Sequence, residues 1–326
     1  MSRVVELYGM TVESDLMLNG ATEVEGLHAR IELRIRRQPP RDIPVAIPDG
    51  EILALWGTPE GFAHVVVRGA SGVTFRIPRL AEFFITERDG AFVVDCFPAA
   101  LEHVGLMEVL ASGALFAVLL ELNGEPVLHA SAVAVNERAV AVVGHSGRGK
   151  TTTSALLCRN GFPLVTDDLL RLRLTDDEVH CFRGSTSLRL REATRPWIEA
   201  TGLRYEISPD HRLLLNAPAF TGTSLPLAAL VFPVPMKDGS AEIAARRLRA
   251  PEAMDELLAS PRFYGWEEAQ VLTDLFRLST TLARRLPAFE VKIPWTLDFD
   301  DAVVRDLGRT IEEIAQGPDV SKPSES

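Results

Sequence analysis

A glycine-rich segment in the middle of the chain, GHSGRGKTTT at residues 144–153, has the residue types and spacing of a phosphate-binding loop. The pattern G-x-x-x-x-G-K-[ST] is matched in full by Gly144, Gly149, Lys150 and Thr151. In such a loop the backbone N–H groups converge on an anion, the lysine reaches the β- and γ-phosphates of a nucleotide, and the following hydroxyl binds Mg²⁺. We therefore predict a nucleotide-phosphate site formed by Gly144, His145, Ser146, Gly147, Arg148, Gly149, Lys150, Thr151 and Thr152.

The segments on either side of this loop agree with a phosphate-binding role. AVAVV before it is typical of a buried strand, and TTTSALLCRN after it predicts a helix of about three turns. Gly161 stands where a left-handed residue would end that helix, and Pro163 follows it. The alternative is a glycine-rich turn that only connects a strand to a helix. The agreement of strand, loop and helix favours the phosphate site.

Two adjacent carboxylates, Asp167 and Asp168, follow the apolar run LVT. One acidic residue at the end of a strand is a usual partner of the nucleotide's metal ion. Because successive strand residues point to opposite faces, a second carboxylate could face an acceptor hydroxyl and act as a base, as a kinase requires. The alternative is a solvated pair at a strand end or helix cap.

The chain contains neither a guanine-reading N-K-x-D nor an LSGGQ-like segment, which argues against GTPases and ABC-type ATPases.

His129 lies in LHASAV, on the strand predicted to precede the strand of the loop. Its neighbours in the sequence are small or apolar. The local sequence therefore leaves two interpretations, a core histidine whose hydrogen bonds are satisfied or a histidine that works in the site.

The elements that must position these residues belong to two regions of different character. Residues 1–98 contain short segments of β-branched and aromatic residues separated by turn signals such as PDG, GTPEG and RDG, which predicts an antiparallel β-rich module. Residues 99–122 are predicted to be helical. From Val127 onward the order strand, phosphate loop, helix, strand is typical of an α/β nucleotide-binding core.

The later part of the chain continues this pattern. SLPLAALVFPVP and FEVKIP predict strands, residues 251–286 predict helix with a break near residues 260–261, and residues 299–316 predict a closing helix. We predict three parts, which are a β-rich module at 1–98, a kinase core at 99–316 and a disordered tail at 317–326.

Composition and charge narrow the functional classes. The chain has 326 residues and a net charge of −11, which argues against wrapping nucleic acid. Its three cysteines lack zinc-ligand spacing, so we expect reduced thiols and a cytoplasmic protein. The opening MSRVVELYGM lacks the apolar core of a signal peptide. The apolar run Val109–Leu120 is shorter than the ~20 residues of a membrane span, so we expect a buried helix and no membrane association.

Taken together, LHASAV, GHSGRGKTTT and GFPLVTDD, followed by RLRL, resemble the catalytic core of the HPr kinase/phosphorylase family, a fold related distantly to ATP-dependent PEP carboxykinase. The resemblance is strong over residues 127–175 and weaker to about residue 315. It implies that the loop binds ATP, that Thr151 and one aspartate bind Mg²⁺, and that the other aspartate takes the proton from a serine hydroxyl. It also implies that His129 lies beside the transferred phosphoryl group. We assign Asp167 as the base and Asp168 to the metal, and the reverse assignment is the alternative.

Several features depart from the HPr kinases proper. Thr151-Thr152 replaces their Ser-Glu after the loop lysine, and FRGSTSLRLRE at 182–192 stands where they have a V-R-G-L-G-like stretch with a metal-binding glutamate. The whole chain is more similar to divergent HPr-kinase-like proteins that open with Y-G-x-x-x-x-S-D, a motif met here by Tyr8, Gly9, Ser14 and Asp15. Some of these phosphorylate a serine of a peptide natural-product precursor, including lasso-peptide precursors.

The prediction is therefore an ATP- and Mg²⁺-dependent serine kinase with catalytic residues Asp167, His129 and Lys150. Its acceptor would be a serine in a peptide or small protein, with a lasso-type precursor as the leading class. Contact with the acceptor or with phosphate is assigned to Ser185, Arg189 and Arg191, for which an exposed basic strand is the alternative. The competing functions are regulation of sugar uptake by phosphorylation of HPr and a non-catalytic ATP-binding switch. A homo-oligomer is left open.

Overall fold

The chain folds into two units, each with its own large β-sheet, and the fold is mixed α/β as predicted. The computed structural model describes residues 2–24, 30–237, 242–295 and 299–317. The first unit contains Met1–Val127 and Arg262–Phe276. The second contains Leu128–Pro261 and Arg277–Ser326.

The division between the units lies later in the chain than the predicted boundary at residue 98. The helical residues that follow this boundary pack with the first sheet, because the Tyr8 hydroxyl donates to the Ser112 carbonyl at 2.9 Å and the Asn19 N–H donates to Ser112 Oγ at 2.9 Å. The predicted boundary rested on the change from strand-like to helical sequence near residue 98, and such a change does not reveal tertiary contacts of this kind. The tail predicted to be disordered lies outside the described residues, apart from Gly317.

In the described part of the first unit, nine strands form a sheet in the order β3-β1-β2-β4-β9-β8-β7-β6-β5. Most neighbours are antiparallel, as predicted, but β4 runs parallel to both β2 and β9. In the stretch LHARIELRIR at residues 27–36, whose alternation predicts a strand, residues 33–36 belong to β4, residues 30–32 do not, and residues 27–29 lie outside the described residues. The strands are β1 Arg3–Leu7, β2 Met10–Ser14, β3 Thr22–Glu23, β4 Leu33–Arg37, β5 Glu51–Thr58, β6 Gly61–Gly69, β7 Gly72–Ile77, β8 Ala81–Arg88 and β9 Ala91–Pro98.

The Y-G-x-x-x-x-S-D motif has a structural explanation in this sheet. Tyr8 and Gly9 form the tight turn between β1 and β2, with φ of 54° and 69°, the left-handed pair that a two-residue hairpin requires. The Tyr8 ring packs on Phe116 with centroids 5.1 Å apart. The Ser14 hydroxyl is buried and accepts the Leu16 N–H at 3.0 Å. This motif therefore stabilises the first unit and lies far in sequence from the phosphate loop.

A segment from the second half of the chain returns to complete the first unit. We call residues 262–268 the covering segment, because it pairs with the edge strand β5. The Leu55 N–H donates to the Gly265 carbonyl at 2.7 Å, and the Glu267 N–H donates to the Leu53 carbonyl at 2.8 Å. The side chain of Trp266 donates to the buried carboxylate of Glu121 at 2.7 Å. Burial raises the pKa of Glu121 to about 8.

A long apolar helix follows the first sheet. It runs without interruption from Leu101 to Leu122 and contains α1 Val104–Leu110 and α2 Phe116–Leu122, joined by a π-helical turn. Among the described residues it is the one helix that is long and apolar enough to cross a membrane, and 61% of its apolar window is buried inside the protein. The apolar run Val109–Leu120 is too short to span a membrane, but the helix that contains it, Leu101–Leu122, is long enough. The burial of this helix, and not its length, therefore supports its interpretation as a core helix.

The described part of the second unit is organised around a sheet with the order β10-β14-β15-β19-β12-β11-β13, to which β21 and β20 are added beside β19. A smaller sheet has the order β16-β18-β17. The strands are β10 Val127–Leu128, β11 Ala130–Val135, β12 Arg138–Val143, β13 Leu164–Thr166, β14 Leu170–Leu174, β15 Val179–Phe182, β16 Ser187–Leu190, β17 Tyr205–Ile207, β18 Leu213–Asn216, β19 Ser224–Met236, β20 Ala244–Arg247 and β21 Ala288–Pro294.

Helices cover both faces of the large second sheet. On β12, Val140 and Val142 pack with helices α3 and α7, whereas Ala139 and Ala141 pack with α5 and α6 on the opposite face. This period of two, with apolar residues on both sides, is why the strand reads as a continuous apolar run. The helices are α3 Lys150–Arg159, α4 Arg195–Thr201, α5 Ala250–Leu258, α6 Ala269–Arg285 and α7 Asp301–Gln316.

The carboxyl ends of four strands meet at one edge of this sheet. β21 runs parallel to β19, and β19 runs parallel to β12. β13 has the same direction, because β11 is antiparallel to both β12 and β13. The order along this edge is therefore β21, β19, β12, β11 and β13. The loops that follow these strands lie next to one another although they are far apart in sequence.

Candidate functional site

The predicted phosphate loop, residues 144–149, lies between the end of β12 and the first residue of α3, which are the strand and the helix expected on either side of it. Its glycines have the positive φ values that side chains disfavour, 151° at Gly144, 92° at Gly147 and 85° at Gly149. Gly149 is the N-cap of α3 and supplies no side-chain cap. The first-turn N–H groups of α3 are therefore not capped by the N-cap side chain and can bind an anion, which the positive end of the helix dipole favours.

Lys150 is buried at the start of α3, and its ammonium group is held inside the loop. Lys150 Nζ donates to the Gly144 carbonyl at 2.6 Å and to the His145 carbonyl at 3.3 Å. These contacts place a positive charge among the backbone groups that would surround a phosphate. A buried ammonium in this position favours an anionic ligand.

The outer part of the loop is connected to the rest of the second unit by arginines. Arg148 Nε donates to His145 Nε2 at 2.9 Å, and its guanidinium lies 3.5 Å from the Glu256 carboxylate on α5. From the opposite side, Arg191 donates to Ser146 Oγ at 2.9 Å. These contacts give the loop a defined shape.

Asp167 is buried directly beneath the helix start. Its Oδ1 accepts from the Thr151 hydroxyl at 3.2 Å and from the Ser131 hydroxyl at 2.5 Å, and its Oδ2 accepts from the Arg189 N–H at 3.2 Å. Burial raises the pKa of Asp167 above its usual value, with a further contribution from the neighbouring Asp168, while the three hydrogen bonds act in the opposite direction. The contact with Thr151 is the arrangement expected where a carboxylate and a loop hydroxyl share a metal ion.

Asp168 has a different environment from Asp167, although the two are adjacent. β13 ends at Thr166, and Asp168 has the left-handed φ of 74°, so the pair is separated by a turn and not by strand alternation. Its side chain is 28% exposed. Asp168 Oδ1 lies 3.3 Å from His129 Nε2, and Oδ2 lies 3.9 Å from Arg189. Asp168 thus faces the open side of the site.

Arg189 connects the carboxylates to a further acidic residue. Its guanidinium donates to Asp210, which is also 3.8 Å from the guanidinium of Arg212. Arg189 Nε is buried and makes no hydrogen bond with the residues that the structure describes. The guanidinium charge of Arg189, which lines the pocket, suits an anionic ligand rich in oxygen atoms.

The loop, the aspartates and the arginines surround one pocket of about 380 Å³ in the second unit. Five cationic side chains and two carboxylates line it, so its charge suits a polyphosphate. The lining residues are His129, Ser146, Gly147, Gly149, Lys150, Thr151, Thr152, Asp167, Asp168, Arg189, Leu190, Arg191, Ala193, Thr194, Arg212, Lys237 and Trp295.

The structure brings together most of the residues that the sequence nominated. His129, Lys150, both aspartates and the two arginines of β16 and its end line the same pocket. Gly144, His145 and Arg148 do not line it and instead shape the loop. Ser185 is buried outside the lining, and its carbonyl accepts the Asp167 N–H at 2.7 Å. Ser185 is therefore placed to support Asp167 and not to touch a ligand in this pocket.

Sequence reasoning missed other residues of the site. His129 lies in the bend between β10 and β11 and not on a strand as predicted, so strand alternation gave no sound signal for Ser131, which follows two positions later on β11. Asp210, Arg212, Lys237 and Trp295 carried no motif, and tertiary folding alone brings them near the loop.

The donor set fits a metal ion that is bound together with a nucleotide. No cluster of three or more His, Cys, Asp and Glu residues that could hold a metal occurs among the described residues. Mg²⁺ does not need one, because it keeps several waters and is bound by one or two carboxylates together with phosphate oxygens. The Thr151 hydroxyl and the Asp167 carboxylate, 3.2 Å apart, provide such a partial set.

No protein-family model matches the chain, and no curated protein sequence matches it. Among solved structures, the HPr(Ser) kinase/phosphatase from Coxiella burnetii is similar with 12% identity and a TM-score of 0.29, over 58% of this chain and 93% of that one. That similarity is too remote to carry the activity of that protein to this chain.

Proposed function

We propose that this chain is an ATP- and Mg²⁺-dependent kinase that transfers the γ-phosphoryl group to a serine hydroxyl. One observation carries the proposal. A phosphate loop and two adjacent carboxylates meet in one pocket, and the two carboxylates have separate environments, Asp167 against Thr151 and Asp168 beside His129. A simple nucleotide switch needs only the first carboxylate, whereas a kinase also needs a base beside its acceptor hydroxyl.

The geometry favours the reverse of the assignment made from the sequence. Asp167 is buried and bonded to the loop hydroxyl of Thr151, so we propose that it holds Mg²⁺ together with Thr151. When bound, Mg²⁺ would neutralise charge on the phosphate oxygens. Asp168 is open to the pocket and lies beside His129, so we propose that it is the base.

The transfer step follows from these positions. Asp168 accepts the proton of the serine hydroxyl as the serine oxygen forms its bond to the γ-phosphorus. The bond from that phosphorus to the bridging oxygen breaks, and ADP leaves with the electron pair. Lys150 stabilises charge on the β- and γ-phosphates from inside the loop. His129, 3.3 Å from Asp168, orients the carboxylate and stabilises its negative charge when protonated.

The acceptor class rests on the sequence resemblance to divergent HPr-kinase-like proteins, and we propose a serine of a peptide or small protein, with a lasso-type precursor as the first candidate. Arg189, Arg191 and Arg212 line the pocket and offer positive charge for a phosphate or an acidic acceptor. We also propose that the protein acts in the cytoplasm.

The function can be tested with γ-labelled ATP, Mg²⁺ and two acceptors offered in parallel. One acceptor is the precursor peptide encoded nearest the gene, in full-length and serine-deleted forms, and the other is HPr. We expect label on the full-length peptide and none on the serine-deleted form. Label on HPr alone would instead assign the protein to regulation of sugar uptake. Binding of ATP with no transfer of label to either acceptor would favour a non-catalytic switch.

A further inference from the structure

An indole ring lies directly against the phosphate loop. Trp295 is the first residue after β21, and its six-membered ring packs on Gly149 so closely that a Cβ on this glycine would be 2.5 Å from Trp295 Cη2. The Trp295 N–H donates to the Met236 carbonyl at 2.8 Å. Phe299 meets the ring edge-on, with centroids 5.2 Å apart. The backbone of Trp295 is thus held against β19, its ring contacts the loop and Phe299, and the residue lines the pocket.

The order of strands at the pocket edge gives the bound nucleotide a direction. Neighbouring strands are ~4.8 Å apart, so the strand of Trp295 lies ~10 Å to one side of β12, and the strand of Asp167 lies ~10 Å to the other. The reacting γ-phosphate must lie toward the aspartates and His129. The nucleoside must therefore leave the loop in the opposite direction, toward the ends of β19 and β21. The pocket residues that directly follow those two strands are Lys237 and Trp295.

From this arrangement we infer that Trp295 is the stacking wall for the nucleotide base. The inference rests on the proposed ATP site and adds to it the position of the nucleoside. The indole presents a rigid aromatic surface that needs little reordering to accept a base. Lys237, at the end of β19, lies beside it and can meet the ribose or the α-phosphate.

The chemistry of this subsite also determines its selectivity. Stacking tolerates any base, because every base has a π-face. The described lining of the pocket contains no asparagine or glutamine and no carboxylate other than Asp167 and Asp168, which are at the reacting end. The amide and carboxylate side chains that discriminate between bases elsewhere are thus missing from the nucleoside end of the described lining. We expect ATP and GTP to bind with affinities that differ by only a few-fold.

The inference can be tested by measuring the binding of two ligands by calorimetry with Mg²⁺ present, ATP and inorganic tripolyphosphate. Tripolyphosphate can occupy the loop but has no base to stack. Trp295→Leu should weaken ATP binding about 10-fold and leave tripolyphosphate binding unchanged. The matched control is Trp56→Leu, an exposed tryptophan of the first unit, which should change neither affinity.

The outcomes separate this inference from the proposed function. If the wild-type protein binds neither ligand, both ideas are wrong. If it binds ATP and tripolyphosphate equally tightly, or if Trp295→Leu weakens both alike, the phosphate site stands and the stacking role is wrong. A second measurement covers the case of a poorly folded Leu variant. ATP should quench tryptophan fluorescence in the wild type and in Trp56→Phe, and a quench that persisted in Trp295→Phe would also overturn the inference.

Discussion

The two large sheets of this protein use a similar number of strands for different purposes. In the first, the strands from β5 to β9 follow one another as antiparallel neighbours, so each loop lies beside its neighbours in sequence. In the second, parallel strands with helical crossovers end at one edge and gather residues from positions as distant as His129 and Trp295. The second arrangement therefore suits a functional site, because it brings several kinds of side chain from distant parts of the sequence to one place. We therefore expect substitutions in the first unit to change stability and those at this edge to change transfer.

The largest effect is expected from Lys150→Ala. Its ammonium group lies within 2.6 Å of the Gly144 carbonyl, and its loss would leave the β- and γ-phosphates without their positive partner. We expect kcat/KM for ATP to fall about 10³-fold or more, measured by transfer of labelled phosphate. Lys292→Ala is the matched control, because Lys292 is an exposed lysine of β21 in the same unit. An equal loss in both variants would contradict the role of the loop lysine.

The two aspartates should differ from each other. Asp168→Asn removes the base and should lower kcat about 10²-fold or more with binding of Mg-ATP preserved. Asp167→Asn should weaken Mg²⁺ binding, because it removes the carboxylate paired with Thr151. Calorimetry with ATP at several Mg²⁺ concentrations, together with single-turnover transfer, separates the two effects. If Asp168→Asn remains active and Asp167→Asn binds Mg-ATP normally without transfer, the assignment made from the sequence is the correct one.

A smaller effect is expected from Ser131→Ala. Its hydroxyl donates to Asp167 Oδ1 and helps to orient that carboxylate toward Thr151. We expect the Mg²⁺ concentration for half-maximal activity to rise several-fold with little change in kcat at saturating Mg²⁺. Ser131→Thr retains the hydroxyl and should restore the wild-type Mg²⁺ dependence. A fall in kcat that Mg²⁺ cannot reverse would point to general disruption of β11.

Glu121→Gln tests the expectation that substitutions in the first unit change stability and not catalysis. We expect the rate of phosphoryl transfer to be unchanged in this variant. The folded protein holds the Glu121 pKa at about 8, above its usual 4.5, so the unfolded chain releases this proton at lower pH than the folded one. The stability linked to this group is full below pH 4.5 and is lost as the pH rises toward 8. We expect Glu121→Gln to raise Tm by several degrees at pH 8 and by little at pH 4.5. Equal Tm differences at both pH values would contradict the buried acid.

The local parts of the site were predictable from the sequence, because the residues that form them are contiguous. The end of β12, the glycines of the loop and the start of α3 are fixed by apolar runs, positive-φ positions and a helical pattern within twenty-odd residues. The aspartates were also found, but their separation was attributed to strand alternation. The strand stops at Thr166, and the left-handed backbone of Asp168 separates them, a conformation that aspartate tolerates better than most residues.

The parts that could not be predicted depend on long-range packing. Trp295 and Lys237 reach the pocket only because β21 and β19 lie beside β12, a strand order that periodicity does not reveal. The same holds for the covering segment, which the sequence predicts as helix after a break near residues 260–261 and which instead pairs with β5. The local sequence of a strand or segment does not indicate which distant strand it will pair with.

The covering segment has a consequence for how the protein is made. A ribosome releases the strands of the first unit long before residues 262–268 exist, on the order of 10 s earlier at ordinary rates of synthesis. During that interval β5 is an edge strand whose Leu53 and Leu55 backbone groups have not yet met their partners, and Glu121 has not met Trp266. An open edge of this kind can pair with another nascent chain. The first unit is thus the earliest part of the protein to begin folding and among the last to finish.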